Sequence, residues 1–172
     1  MNKKKNILVL LLMIVFITVA CSSEPEMDKT KFTKLDEIAR ELQTSHAAGA
    51  SYQHFGEMLH ALSAEIEAVK GRALSKKEME QLKEYSVLYG IYQDGYTLWR
   101  CKLEFAPFGI VPKGRIYVSQ DVDPIAFRYN FPMESHLYEP THQYWKSISE
   151  DSIQIVWNNA DLKYRIITGP AQ

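Results

Sequence analysis

The chain has 172 residues, with 20 Lys and Arg against 21 Asp and Glu for a formal charge of −1. Three of the lysines are Lys3, Lys4 and Lys5, so the chain past residue 20 carries 17 bases against 21 acids, a formal −4. With no basic block in that remainder, neither nucleic acid nor anionic lipid headgroups are expected as electrostatic partners, and its length fits one compact domain.

The first element is a leader. Lys3-Lys4-Lys5 precede an apolar run from Ile7 to Ala20, which is shorter than the roughly 20 helical residues a bilayer core requires. Thr18-Val19-Ala20-Cys21 closes the run with a small residue just before a cysteine. This order resembles the signal peptide of bacterial lipoproteins, although Thr18 stands where that motif usually has Leu. The resemblance implies that residues 1–20 are removed and that Cys21 becomes the lipidated first residue. The alternative is an ordinary signal peptide cut nearby, with Cys21 incidental. Several acyl chains on one residue hold a protein to a membrane without spanning it, at about 0.8 kcal/mol for each buried methylene. Ser22 follows the cysteine without the Asp that retains many lipoproteins in an inner membrane. The expected location is therefore the cell envelope, on the outer membrane where there are two membranes and on the outer face of the plasma membrane otherwise. Residues 21–33 read as lipidated cysteine and flexible tether, since Ser22 to Lys34 is hydrophilic and contains Pro25.

Residues 34–172 read as a single α+β domain, helical over 34–104 and β-rich over 114–168. The first helix is expected over 34–44, with Leu35, Ile38, Ala39 and Leu42 on one face and Thr33 as its cap. Ala47-Ala48-Gly49 supplies a turn, and Ser51 can cap the next helix. Tyr52, Phe55, Leu59, Leu62, Ile66, Val69 and Ala73 then follow spacings of three and four. Leu82, Tyr85, Tyr89, Tyr92, Tyr96, Trp99 and Leu103 do the same. Each set falls on one stripe of a helix. Between them, Gly71 can end one helix and Ser75-Lys76-Lys77-Glu78 is a capping box that starts the next. The connection is short, so the two helices, 51–70 and 76–104, are expected as an antiparallel hairpin.

After Phe105 the period becomes alternating. Arg115 to Ser119 and Ile125 to Tyr129 read as strands around an Asp121-Val122-Asp123-Pro124 turn. Ser152 to Trp157 and Asp161 to Ile167 read as a second pair around Asn158-Asn159-Ala160, forming with the first a small antiparallel sheet packed on helices. Asn130 to Lys146 reads as a long loop, with Phe131, Tyr138, Tyr144 and Trp145 as a possible interaction surface.

The chain contains no phosphate-binding loop, GxSxG elbow, HExxH or EF-hand pattern, and no catalytic residue is assigned. Cys101 is the one thiol left after Cys21 and reads as a buried residue near a helix end; without a CxxC, thioredoxin-like redox work is excluded. Glu134, His136, Glu139 and His142 form a weak candidate set for a metal, at a spacing that matches no known motif. His46, His54, Glu57 and His60 read as a polar outer helix face, and Asp121 with Asp123 as turn residues. Tyr85, Tyr89, Tyr92, Tyr96 and Trp99 read as core before groove. The functional expectation is a non-catalytic, lipid-anchored envelope module without a cofactor, which meets the membrane through its anchor and binds an envelope protein. An envelope metal-binding protein or hydrolase using residues 130–146 is the first alternative. An inhibitor or immunity-type protein is the second.

Overall fold

A computed structural model describes residues 26–105, 107, 109 and 111–169. The leader, Cys21 and Pro25 lie outside the described residues. The elements are a 3-10 turn (Lys29–Phe32), α1 (Thr33–Ala48), α2 (Tyr52–Lys70), α3 (Lys76–Phe105), β1 (Arg115–Tyr117), α4 (Asp123–Arg128), β2 (Glu134–Tyr138), β3 (Gln143–Ser149) and α5 (Asp151–Thr168). The architecture is α+β: four long helices make a bundle, and a three-stranded antiparallel sheet of order β1-β3-β2 packs at one end of α3.

The α2–α3 hairpin forms as its sequence pattern predicts. Ser51 Oγ accepts the His54 N–H at 3.2 Å. In the capping box, Ser75 Oγ accepts the Glu78 N–H at 3.3 Å while Glu78 accepts the Ser75 N–H at 2.7 Å. The seams close on aromatic pairs. Tyr52 stacks on Tyr96 at 4.3 Å, and Phe55 meets Tyr92, Tyr96, Trp99 and Trp157. Each such pair adds about 0.5–1.5 kcal/mol beyond burial. Tyr85 and Tyr92 are core, and Tyr89, Tyr96 and Trp99 pack against it. Helix α1 runs on to Ala48 and stops at Gly49, whose φ of 76° is a left-handed conformation that side chains resist.

The N-terminal boundary differs from the expected tether. Among the described residues the first helical element is the 3-10 turn, which Asp28 caps by accepting the Thr30 N–H at 3.0 Å. Thr33 is therefore the first residue of α1 and not its N-cap, and its N–H closes the 3-10 turn on the Thr30 carbonyl. Phe32 is buried against Tyr85, and Glu78 binds both the Asp28 N–H (3.1 Å) and Lys31 Nζ (2.9 Å). The Ser75 N–H, Lys31 and the Asp28 N–H together hold the buried Glu78 carboxyl down to about 2.

Three further expectations are corrected. The strands and turn expected over 152–167 are one helix, α5. Ile153, Val156, Trp157, Ala160, Tyr164 and Ile167 have helical spacing, and burying that stripe against α1 and α3 outweighs the strand preference of Ile and Val. The expected strand 125–129 is the short helix α4, because Pro124 sits in its first turn, where a missing N–H costs nothing. Residues 130–146 are largely the β2–β3 hairpin. Cys101 is buried at the α3 end as expected, 3.7 Å from Ser119 Oγ. Among the described residues, no helix is long and apolar enough to cross a membrane.

Several phenols are buried or half-buried, and burial, the largest cause in each case, raises the pKa of Tyr52, Tyr85, Tyr92, Tyr129 and Tyr164 above the usual tyrosine value. A raised folded value favours the folded state below the unfolded pKa of about 10 and gives that advantage up as pH rises beyond it. The urea midpoint should hold between neutral pH and about pH 9.5, then fall with tyrosinate absorbance above about pH 10. An unchanged midpoint in the alkaline range would contradict these burial effects.

Candidate binding face

The sheet has two unlike faces. Ile116 and Ile148 are fully buried in a cluster with Leu98, Cys101, Ile125, Ala126 and Val156, so one face is closed by α3, α4 and α5. The registers Tyr117↔Ser147, Glu134↔Ser147 and His136↔Trp145 place Arg115, Tyr117, Glu134, His136, Tyr138, Trp145 and Ser147 on the other face. There the rings form a row across the strands. Phe105 lies 4.8 Å from Tyr117, Tyr117 lies 5.8 Å from Trp145, and Trp145 stacks on His136 at 4.2 Å.

Polar groups lock the row from below. Arg115 donates from Nε to Ser147 Oγ (2.9 Å) and from Nη2 to the Ser147 carbonyl (3.1 Å), and its Nη1 pairs with Glu134 (3.0 Å). His136 Nε2 is 2.8 Å from the same Ser147 hydroxyl. That is the distance of a nucleophile and its base, but Ser147 has 0% exposure and its oxygen already accepts from Arg115. No substrate carbonyl can reach it, so the hydroxyl ties β1, β2 and β3 together.

Among the described residues, strand β2 is open on both sides and along its outer edge. The Val118 N–H bonds the Lys146 carbonyl, which directs even-numbered β3 residues toward β1 and odd-numbered ones toward β2. The backbone groups of Glu134, His136 and Tyr138 therefore serve the β2–β3 ladder, and those of Ser135 and Leu137 point outward. Tyr144 is 76% exposed, Tyr138 42% and Leu137 40%. The four-residue loop 139–142 closes the hairpin through Thr141 N–H to Tyr138 O, with His142 in a left-handed conformation at φ 51°.

The expected site residues separate. Tyr138, Tyr144 and Trp145 belong to the hairpin, whereas Phe131 is buried and stacks on Tyr129 at 5.5 Å. Phe131 is core and leaves the interaction surface. Glu134 is paired with Arg115, His136 with Ser147, and Glu139 and His142 form the turn. Among the described residues, no three His, Cys, Asp or Glu side chains gather into a group that would hold a metal ion. His46 leaves the outer face expected for it: it packs on Trp157 and bonds Asp161 at 3.0 Å, while His54 and Glu57 stay exposed. Asp121 pairs with Arg100, and Asp123 lies in the first turn of α4. Arg115, Tyr117 and Ser147 went unrecognised in the sequence. Their signal was the alternation around Ile116 and Ile148, legible once β3 is known to be a strand.

A second concavity of about 560 Å³ opens between α1, α3 and α5, beside Met27 and Lys29. Its polar floor is Asp36, which accepts hydrogen bonds from Arg40 (2.6 Å), Tyr164 (2.9 Å) and Tyr85 (3.5 Å). Each donor comes from a helix that the carboxylate holds in place. No family model matches this chain, and neither does any curated protein or solved structure.

Proposed function

We propose that this protein is a lipid-anchored, non-catalytic interaction module of a bacterial cell envelope, and that it engages a partner protein through the β2–β3 hairpin. The anchor reading rests on Lys3-Lys4-Lys5, the apolar run to Ala20 and Cys21. The observation that carries the interaction reading is the hairpin itself. It exposes Tyr138 and Tyr144, leaves the outward backbone groups of Ser135 and Leu137 without a neighbouring strand among the described residues, and is stiffened by the Arg115–Ser147–His136 lock. An extended segment of a partner can add to such an edge, with main-chain bonds giving affinity and flanking rings giving selectivity. An anchor adds effective concentration, because it confines the module to a layer beside its neighbours.

The test has two arms in the native cell. Cys21→Ala should leave the fold intact and move the protein from the membrane fraction to the soluble one; sedimentation with membranes regardless would refute the anchor. A photo-activated cross-linker at Tyr144 should capture one dominant partner, and capture should fall at least tenfold, about 1.4 kcal/mol, in a Tyr138→Ala, Leu137→Asp background. Equal capture from an exposed position on α2, such as His60, would remove the hairpin as the binding element.

A further inference from the structure

The docked segment Asp28–Phe32 has a geometric consequence. Its backbone and side chains are held at the start of α3 by Glu78, and Lys31 Nζ also bonds the Ala73 carbonyl while Arg72 bonds the Lys31 carbonyl, both at 3.0 Å. Only residues 22–27 lie between Cys21 and that docking point, a span of at most about 25 Å even when fully extended. The sheet packs at the opposite end of the same helix, where Phe105 meets Tyr117 and Cys101 joins the Ile116–Ile148 cluster. From Glu78 to Phe105, α3 rises about 40 Å.

We infer that the bundle end formed by the 3-10 turn, the α2–α3 connection and the start of α3 lies against the phospholipid surface, and that α3 carries the sheet about 40 Å away from it. This rests on the lipid-anchor reading above and adds the orientation that the docked segment imposes. The occupant follows from where the chain leaves the domain: a lipid on Cys21 cannot sit farther from Asp28 than the short connection allows. Paired charges at this end leave no block of uncompensated acid among Glu65, Glu67 and Glu78 to repel a phosphate-rich surface, since Glu65 pairs with Lys34 and Arg72, Glu78 with Lys31 and Glu67 with Lys70. The β2–β3 hairpin is thereby presented to a partner standing off the membrane, while the concavity beside Met27 opens close to the lipid.

Energy transfer to headgroup-labelled lipids tests this with the lipidated full chain on phosphatidylethanolamine and phosphatidylglycerol vesicles. A dye at Lys76→Cys and a dye at Tyr144→Cys report the two ends; Cys101 is 2% exposed and Cys21 is acylated, so neither takes label. Transfer should be severalfold higher from position 76. A Gly/Ser insert of about twenty residues after Glu26 adds about 25 Å of reach and should erase most of that difference without touching a folded contact. Equal transfer from both positions in protein that floats with vesicles overturns the orientation alone. A difference that survives the insert overturns the short connection as its cause. Failure to float overturns the anchor and the orientation together.

Discussion

Replacing Gly95 with alanine should destabilise the domain by about 2 kcal/mol, although the same change elsewhere in α3 should stabilise it. A Cβ at Gly95 would overlap the Trp157 ring, 2.6 Å from Cη2 and 2.7 Å from Cε3. That ring cannot retreat, since Phe55 lies 5.0 Å from it, His46 5.6 Å and Tyr92 6.2 Å. Overpacking of this kind costs about 3 kcal/mol, offset by about 1 kcal/mol of helix propensity. Gly90 lies in the same helix with nothing within 4 Å of the added atom, so Gly90→Ala should gain up to about 1 kcal/mol. Gly56→Ala should fall between them, because the atom it meets is the movable Tyr96 hydroxyl at 2.5 Å. Urea unfolding followed by far-UV circular dichroism gives all three values. Equal effects at positions 90 and 95 would mean that α5 does not seat Trp157 on Gly95. Trp157→Leu in the Gly95→Ala background should recover part of the loss, and strict additivity would argue against the contact.

Asp36→Ala should cost about 2–3 kcal/mol through the loss of hydrogen bonds to a charged acceptor. The carboxylate is the one acceptor shared by Tyr85 of α3, Tyr164 of α5 and Arg40 of its own helix. Tyr164 is 6% exposed and Tyr85 2%, so removing Asp36 leaves two phenols facing a partly closed cleft. Tyr164→Phe alone should cost about 1 kcal/mol, and in the Asp36→Ala background close to nothing, because its partner is already gone. Additive losses would place the effect of Asp36 in its ion pair with Arg40 instead of the three-helix junction. Asp36→Asn should recover roughly half of the loss by restoring an acceptor without the charge.

The α2–α3 hairpin was legible in the sequence because everything that forms it is local. Spacings of three and four from Tyr52 to Val69 and from Leu82 to Trp99 set the buried stripes, and Ser51 and the Ser75–Glu78 box supply the starts. The binding face was half legible. Tyr138, Tyr144, Trp145 and His136 stood out as residues, but their stretch reads as a loop because Pro132 and Pro140 interrupt it. Its strand character depends on β3 pairing with β1, some thirty residues earlier in the chain.

Helix α5 marks the boundary between what the sequence by itself determined and what the tertiary structure decided. Asn158-Asn159 between runs of Ile, Val and Tyr favours a hairpin when only neighbours along the chain are weighed. The helix prevails through distant partners: Gly95 receives Trp157, Asp36 receives Tyr164, Glu84 pairs with Lys163, and His46 bonds Asp161. The sequence alone thus determined the helical hairpin and its caps, because periodicity and capping act within a few residues; the α+β class holds, but on strands β2 and β3 that lie where a loop was expected. Only the tertiary structure decided the fourth long helix, the docking of Asp28–Phe32 and the lock beneath the ring row. Each of these depends on side chains that meet from elements far apart in the chain.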